Sequence, residues 1–146
     1  VYYDLLESPK GDPQLTRSFP LILTSAKDPH YFHSAYRNIA SLRRLSPDPV
    51  VLLNPETAVN LSLQEGDWAC IETPIGTIRQ KVAFDPDLHP TVVIAAYGWW
   101  FPERTDLELS GWKESNINIL TDNNPPYDPA IGSTNLRAVP CRVYKE

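Results

Sequence analysis

Residues 68–84 have the sequence WACIETPIGTIRQKVAF, which predicts a β-hairpin. Its two arms flank residues 73–76, TPIG, where proline and glycine favour a turn. In the second arm apolar and polar side chains alternate, so one face of that strand is mostly apolar. That face is formed by Ile78, Gln80, Val82 and Phe84. A strand with one apolar face must pack it against another layer, so the hairpin indicates a β-sheet folded around a core.

Short apolar runs before and after the hairpin predict more strands. These runs cover residues 21–23, 50–53, 91–96 and 137–143, with the amide-rich segment 115–121 as a further candidate. Fifteen prolines interrupt long helices and long central strands. A short helix is predicted to start at Asn54, whereas residues 1–19 are predicted as an extended linker and residues 103–113 as a loop. Six or seven short strands joined by close turns favour a mainly β fold, a closed barrel with one or two short helices.

A positively charged stretch follows the first of these strands. Residues 24–44, TSAKDPHYFHSAYRNIASLRR, contain four cations and one acid, whereas the whole chain has a formal charge of −5. Cations, hydroxyls, imidazoles and amides in one segment favour an anionic ligand such as a phosphate. The alternative interpretation is a solvated amphipathic segment whose arginines pair with acids elsewhere. Residues 34–45 are predicted to form a short helix or helical turns, with Arg37, Arg43 and Arg44 off the apolar face.

Three large aromatic side chains stand together after the strand predicted at residues 91–96. In the segment 97–102, YGWWFP, they follow Gly98 directly. Packing into the core is the default role for such side chains, and a flat wall against a ring system is the alternative.

The length, net charge and residue counts of the chain limit the classes of function that it can have. At 146 residues the chain is expected to be one domain. A net acidic charge argues against general nucleic-acid binding, and no apolar run approaches the ~20 residues of a membrane-spanning helix. Cys70 and Cys141 lack metal-ligand spacing, so two free thiols are favoured while a disulfide stays open. Methionine is absent. We therefore expect the chain to be a piece of a longer protein, with any targeting signal or catalytic metal site elsewhere.

Nine short motifs occur in a fixed order between Phe19 and Lys145. They are L-T-S-A-K, F-H-S-x-x-R-N, S-L-R-R-L-x-P-x-P, L-N-P-E-T-A with E-G-D after it, T-P-I-G-T-I, G-W-W-F-P-E, S-N-I-N-I-L-T, D-P-A-I-G and L-R-A-V-P-C-R-V. Together they resemble the C-terminal dinucleotide-binding domain of molybdenum and tungsten oxidoreductases of the dimethyl sulfoxide reductase family. The G-W-W-F-P-E and S-N-I-N-I-L-T motifs are similar to those of the branch with polysulfide and thiosulfate reductase-like enzymes and acetylene hydratase-like proteins.

This resemblance implies a double-psi β-barrel over residues 19–146, with residues 1–18 as the tail of a preceding domain. It implies a bis-molybdopterin guanine dinucleotide cofactor, carrying molybdenum or tungsten, with this domain closing over one side of it. The cofactor-binding positions that it implies are Thr24, Ser25, Ala26, Lys27, Phe32, His33, Ser34, Arg37, Asn38, Gly98, Trp99, Asn118 and Arg137. Arg37 is expected to reach a phosphate, and His33 and Asn38 to bond pterin edges.

Two of these positions depart from the family's T-x-G-R turn. Ala26 stands where the family has glycine, and alanine resists the positive φ that glycine permits. Lys27 stands where the family has arginine, so a point charge replaces a bidentate fork.

The resemblance places the catalytic groups outside this chain. The protein ligand of the metal and the cysteines of any iron–sulfur cluster belong to other domains of such enzymes, so no catalytic or metal-ligating residue is expected here. The expected partners are the N-terminal and central domains of the same enzyme and an electron-transfer subunit, with no nucleic acid and no direct membrane insertion. The compartment, prokaryotic cytoplasm or periplasm, would be set by a signal on the missing N-terminus.

Two other classes of function stay open at the level of sequence. Small double-psi barrels include pyruvoyl-dependent decarboxylases, which cleave themselves at a Gly-Ser step, and Gly132-Ser133 is such a step. A barrel that binds a partner protein and no cofactor is the other alternative. The cluster of Lys27, His33 and Arg37 favours the cofactor, because a purely protein-binding barrel does not require it.

Overall fold

Six strands close into a barrel in a computed structural model that describes residues 12–125, 127–128, 130–134, 136 and 138–146. The strands are β1 Leu21–Ala26, β2 Val50–Leu53, β3 Trp68–Glu72, β4 Thr77–Phe84, β5 Val92–Ala96 and β6 Val139–Lys145. Around the barrel they follow the order β1-β5-β2-β4-β3-β6. The prediction of a mainly β, double-psi barrel is confirmed, and so is the hairpin formed by β3 and β4.

Two pairs of neighbouring strands run parallel, and this decides where the loops meet. β1 pairs in parallel with β5, placing Thr24 opposite Ile94 and Ala26 opposite Ala96. β2 pairs in parallel with β4. β6 is antiparallel to both β1 and β3 and closes the barrel. The segments that follow β1 and β5 therefore leave the barrel side by side.

Short helices connect the strands. They are α1 Pro13–Ser18, α2 Ala40–Leu45, α3 Pro55–Asn60 and α4 Trp112–Ser115, with 3₁₀ turns at Glu108–Gly111 and Ile117–Leu120. The predicted helix start at Asn54 is confirmed, because its side chain accepts a hydrogen bond from Glu56 N at 2.8 Å. Four described α-helices exceed the one or two that were expected.

The extended linker predicted over residues 1–19 is wrong for the part that the structure describes. Asp12 accepts hydrogen bonds from the backbone N–H groups of Gln14 and Leu15, and Pro13 occupies the first turn. A capping carboxylate and a proline with a preset φ are ordinary helix-start signals, and they outweigh the polar composition of the segment. Residues 1–11 lie outside the described part.

Four other local predictions need correction. β1 continues to Ala26, where a turn was expected, because β5 offers it a parallel partner to that point. Residues 34–39 form turns and the helix starts only at Ala40, because Tyr36 adopts a φ of 72°. The strand candidate at 115–121 is helical, and so is the end of the loop predicted at 103–113. Within residues 115–121, the Asn116 carboxamide caps a 3₁₀ turn by accepting a hydrogen bond from Asn118 N.

Apolar side chains fill the barrel, and a second apolar cluster lies outside it. The interior is built from alternating positions such as Val51, Ile71 and Val93, all fully buried. The outer cluster consists of Tyr31, Trp99 and Phe101, with Leu42 and Trp68 packed against it. It joins the segment after β1 to the segment after β5, and so fixes the two loops relative to each other.

The buried side chain of Gln80, on β4, bonds the backbone of Ala96 at the end of β5. The Gln80 amide donates to Ala96 O at 2.8 Å and to Ser115 O at 3.0 Å, and its carbonyl accepts from Ala96 N at 2.9 Å. It thereby provides the hydrogen bonds that a neighbouring strand would give to Ala96. The last residue of β5 is held in place just before the aromatic segment 97–102.

The two cysteines are free thiols. Burial raises the pKa of Cys141 to about 12, and burial is also the largest cause that raises the pKa of Cys70.

Within the described residues, no three His, Cys, Asp or Glu side chains gather as a metal site. None of the described helices combines the length and apolar character needed to cross a membrane.

Candidate functional site

The loops after β1 and β5 meet in one surface, formed by residues 27–38 and 97–101, which we call the β1–β5 loop surface. Parallel pairing places the carboxyl ends of both strands at the same edge of the barrel. Loops that leave the carboxyl ends of adjacent parallel strands are the usual place for ligand contacts.

His33 and Tyr97 join the two loops through their side chains. The Tyr97 hydroxyl lies 3.0 Å from His33 Nδ1, and the two rings meet edge to face with centroids 5.9 Å apart. Phe32 packs edge to face against the imidazole, with ring centroids 4.7 Å apart, and Lys27 Nζ lies 5.1 Å from the centre of the Phe32 ring. Lys27, Phe32 and His33 are exposed, so an ammonium, an aromatic face and an imidazole are all presented to solvent.

Gly98 allows the two loops to approach at the backbone level. Its φ is 67°, and a Cβ added there would lie 3.2 Å from Ser34 N and 3.3 Å from His33 O. Any other residue would combine a strained backbone with a crowded side chain. Trp100 adds a second link, because its Nε1–H donates to Ser34 O at 2.6 Å.

Arg37 lies inside the protein, contrary to the prediction that it is off the apolar face. Only 1% of the residue is exposed. Its guanidinium carbon lies 4.6 Å from the Tyr31 ring centre and 4.7 Å from that of Trp99. Nη1 donates to His33 O at 2.7 Å, and Nη2 donates to Tyr97 O at 3.2 Å. Burial lowers the pKa of Arg37, and the nearby Tyr31 hydroxyl partly offsets this effect.

The geometry of Arg37 changes the role we assign to it. One guanidinium bonds a carbonyl from each of the two loops, while the aromatic faces of Tyr31 and Trp99 balance its charge. Its Nε is buried and has no hydrogen-bond partner among the described residues. Contact with a phosphate stays an untested prediction. What the structure shows is a cation that fastens the β1–β5 loop surface from within.

Trp99 settles the question about the aromatic segment in favour of core packing for that side chain. It is fully buried and packs edge to face against Tyr31 at 5.6 Å. Trp100 is partly exposed at the loop surface.

Asp28 anchors the start of the loop after β1. Its carboxylate accepts hydrogen bonds from the Ser46 hydroxyl and from the backbone N–H and ring Nδ1 of His30. Partial burial opposes ionisation, but these hydrogen bonds outweigh it and hold the pKa of Asp28 below its ordinary value of 3.8. Tyr31 is held at the same point, since its hydroxyl donates to Ser46 O at 2.6 Å.

An open groove of about 650 Å³ runs beside the same loop. Its walls are Arg37, Asn38, Ala40, Arg43, Arg44, Pro47, Pro102 and Glu103. Arg43 donates to the Glu103 carboxylate at 2.6 Å, and its guanidinium lies 5.4 Å from the Trp99 ring centre. For Arg43 the structure therefore agrees with the alternative interpretation, in which arginines pair with acids elsewhere.

The remaining predicted positions divide into three groups. Thr24, Ser25 and Ala26 are the last residues of β1, at the base of the loop surface. Asn118 is exposed in the 3₁₀ turn Ile117–Leu120, which is tied to the aromatic segment because Asn116 Nδ2 donates to Trp99 O at 3.3 Å. Arg137 lies outside the described residues.

The exposed groups of the loop surface fit a polar, anionic ligand. Lys27 supplies a positive charge, His33 and Asn38 supply nitrogen donors and acceptors, and Ser34 supplies a hydroxyl. This set matches the phosphates and the nitrogen- and oxygen-rich ring edges of a pterin dinucleotide. In the T-x-G-R turn the substitution by Ala26 causes no strain, because Ala26 is an extended strand residue and has no positive φ.

Sequence reasoning missed two residues that build this site. Tyr97 was not selected, although it directly precedes Gly98, and Gln80 was noted only as part of an apolar face. A lone glutamine within such a face was the available signal for Gln80, because a buried amide needs partners. For Tyr97 the signal was weaker, since its partner lies 64 residues away in sequence.

Comparisons with known proteins show the family of this chain. The family described as "Molydopterin dinucleotide binding domain" matches residues 21–140. The chain is 37% identical over 142 residues to dopamine dehydroxylase from Eggerthella lenta, a match that covers 95% of this chain and 14% of that protein. It is 31% identical over 150 residues to acetylene hydratase from Syntrophotalea acetylenica, with 99% of this chain and 20% of that protein covered.

A solved structure gives the same result. Acetylene hydratase from Pelobacter acetylenicus superposes on this chain with a TM-score of 0.93 at 30% identity, covering 100% of this chain and 21% of that one. The chain thus spans about a fifth or less of the length of these relatives. It belongs to the molydopterin dinucleotide binding domain family, the domain with which molybdenum and tungsten oxidoreductases of the dimethyl sulfoxide reductase family bind molybdopterin guanine dinucleotide.

Proposed function

We propose that this chain is the cofactor-binding part of a larger molybdenum or tungsten oxidoreductase, and that its β1–β5 loop surface holds the cofactor. The observation that carries the proposal is the group of exposed polar side chains on the loop after β1, which a buried guanidinium fastens to the loop after β5. The bound cofactor supplies the metal and its redox chemistry. The residues of this chain bind it and orient it.

The roles follow from exposure and chemistry. Lys27 faces a phosphate, His33 and Asn38 bond ring edges, and the Ser25 and Ser34 hydroxyls add hydrogen bonds. Gly98 lines the site beside them and the buried Trp99 supports it from behind, while Thr24, Ala26 and Phe32 form its base and side. Asn118, exposed in the 3₁₀ turn Ile117–Leu120, adds a further contact, and Arg137 is proposed as a cofactor contact from the family resemblance alone. Arg37 is a positioning residue.

The partners in this proposal are other domains of the same polypeptide and an electron-transfer subunit. The part of the relatives that this chain does not cover leaves room for those domains. Residues 1–18 belong, in this proposal, to the domain before. α1 lies in that segment and packs against β6, so it would join the preceding domain to the barrel.

The direct test uses the full-length protein, made in a host that synthesises the cofactor and purified without oxygen. Metal analysis for molybdenum, tungsten and iron is combined with assay of released guanine nucleotide. Metal together with guanine nucleotide is the expected result and identifies the metal. A folded protein with neither would overturn the proposal and favour the cofactor-free barrel.

Lys27→Ala tests the proposed phosphate contact. We expect a fall of about threefold to tenfold in retained guanine nucleotide, because one charge-assisted hydrogen bond is lost. The matched control is Lys113→Ala, an exposed lysine of α4 that pairs with Glu108 and is not one of the residues of the loop surface, and it should keep the wild-type content. Equal content in all three proteins would show that Lys27 does not contact the cofactor.

A further inference from the structure

The contact between Tyr97 and His33 has a chemical direction. In a neutral imidazole one ring nitrogen carries the proton and the other accepts a hydrogen bond. A phenol O–H is a stronger donor than an imidazole N–H, and the bare ring nitrogen is the stronger acceptor. The arrangement in which Tyr97 donates to Nδ1 over 3.0 Å is therefore favoured. The proton of the ring then resides on Nε2.

We propose that Tyr97 is a positioning residue, which fixes the orientation and the tautomer of His33 so that Nε2–H is offered to the ligand as a donor. The inference rests on the proposed function, because it takes the cofactor to lie at the β1–β5 loop surface. It goes further by assigning a hydrogen-bond direction and by adding a residue to the site.

The backbone at His33 is already fixed, which leaves ring rotation as the remaining freedom. His33 has a φ of 53°, in the left-handed region that a residue with a side chain rarely adopts. Its carbonyl accepts from Arg37 at 2.7 Å, and Gly98 brings the second loop against that carbonyl. Strained backbone held by surrounding contacts is typical of ligand sites.

Rotation of the ring about its bond to Cβ would exchange Nδ1 with a carbon atom. The Phe32 ring, 4.7 Å away, does not distinguish the two orientations by hydrogen bonding. The Tyr97 hydroxyl does distinguish the two orientations, because Nδ1 can accept its hydrogen bond and the carbon atom cannot. The opposite nitrogen, Nε2, has no hydrogen-bond partner among the described residues, and His33 is exposed. Tyr97 therefore holds the His33 ring at Nδ1, and Nε2–H can donate to a ligand.

Tyr97→Phe tests the role with the smallest change, since it removes one oxygen and keeps the ring packing. The full-length protein is purified from a cofactor-producing host, washed by gel filtration and assayed for metal and guanine nucleotide per polypeptide. We expect retained nucleotide to fall by about threefold to tenfold, as for one lost hydrogen bond. The matched control Tyr144→Phe, on β6 and exposed, should keep the wild-type value.

A second pair of variants separates positioning from general stability. In His33→Gln the side-chain amide carries an N–H donor near the place of Nε2 and needs no tautomer. In that background Tyr97→Phe should cause no further loss of nucleotide. The same loss in both backgrounds would mean that Tyr97 acts only through packing, and would overturn the inference.

His33→Ala distinguishes failure of this inference from failure of the proposed function. If His33→Ala loses nucleotide while Tyr97→Phe does not, the site stands and the role of Tyr97 is overturned. If His33→Ala also keeps the wild-type content, the cofactor does not contact His33, and both the placement at this residue and the inference fail. A wild-type protein without metal or nucleotide would remove the proposed function itself.

Discussion

Arg37 shows at the scale of single residues how a cation can serve a binding site without touching the ligand. Its charge is enclosed by the faces of Tyr31 and Trp99, and its donors hold His33 and Tyr97 through their carbonyls. A buried cation of this kind is costly unless its donors are satisfied and its charge is compensated. Each loop supplies one carbonyl acceptor, and Nε is left without a partner among the described residues, so the position of each loop depends on the other through Nη1 and Nη2.

Arg37→Lys should destabilise the chain by about 2 kcal/mol, because an ammonium cannot bond both carbonyls and loses the planar stacking. Urea unfolding measures the change, and Arg44→Lys is the control, an exposed arginine of α2 with an expected effect of about zero. An equal effect of the two substitutions would contradict the role assigned to Arg37.

Asp28 makes the loop after β1 sensitive to acid. Its pKa is lower in the folded chain than its ordinary value of 3.8, so its stabilising effect is complete above that value and is lost as the pH falls below it. Asp28→Asn should therefore cost about 1 kcal/mol near neutral pH and much less at about pH 3. Urea unfolding of both proteins across this range checks the sign; a constant difference would exclude the carboxylate as the cause.

Single residues also mark the limit of reading from sequence. His33, Ser34 and Asn38 are predicted from sequence as hydrogen-bonding groups of one cofactor-binding segment. The structure shows that all three are exposed, and their contact with the cofactor stays a prediction. Arg37 could not be assigned correctly from spacing alone. The left-handed φ of Tyr36 turns the chain just before Arg37, and no glycine in the sequence predicts that turn. The aromatic ring of Trp99, which packs against Arg37, comes from a distant part of the sequence.

At the scale of elements, the close approach of the loops after β1 and β5 depends on Gly98. Gly98→Ala adds a Cβ against backbone atoms of the other loop at 3.2–3.3 Å, in addition to the strain of a positive φ. We expect a loss of about 2 kcal/mol in unfolding free energy together with weaker cofactor retention.

Gly66→Ala is the matched comparison for Gly98→Ala. Gly66 has a φ of 87°, and a Cβ there would meet nothing within 4 Å. Its substitution should cost about 1 kcal/mol of unfolding free energy from backbone strain and leave cofactor retention unchanged. Equal losses of stability in the two variants would mean that contact between the loops contributes nothing.

Elements with a strong local pattern were predicted well, and those that depend on distant partners were not. β3 and β4 begin and end at the predicted residues, because alternation and the TPIG turn are local. β1 was predicted too short, since its last three residues are strand only by pairing with β5. The apolar residues of Ile117–Leu120 alternate and so favour a strand by sequence, but the segment is a 3₁₀ turn that Asn116 caps.

At the scale of the whole molecule, Cys141 reports on the opening of the barrel. It is fully buried on β6, the strand that closes the barrel, and burial raises its pKa to about 12. In a Cys70→Ser variant, alkylation at neutral pH should thus be slow and limited by unfolding. Cys70, isolated by Cys141→Ser, should react faster because it is only partly buried, and both should react rapidly in denaturant.

The experiment has a clear opposite result. If native Cys141 reacts as fast as native Cys70, β6 separates from the barrel without global unfolding.

The closed topology itself was predicted correctly from many short strands, because so many edges need partners. The order of strands was not, since it depends on pairings between distant parts of the chain.

Closure by β6 also has a consequence for how the chain is made. Leu21 pairs with Cys141, and Cys70 pairs with Tyr144, so the last strand joins two strands that were synthesised long before it. Until β6 leaves the ribosome, β1 and β3 each have an open edge that other chains can bind. Pairings so distant in sequence also slow folding. The nascent chain should therefore depend on chaperones that cover these edges.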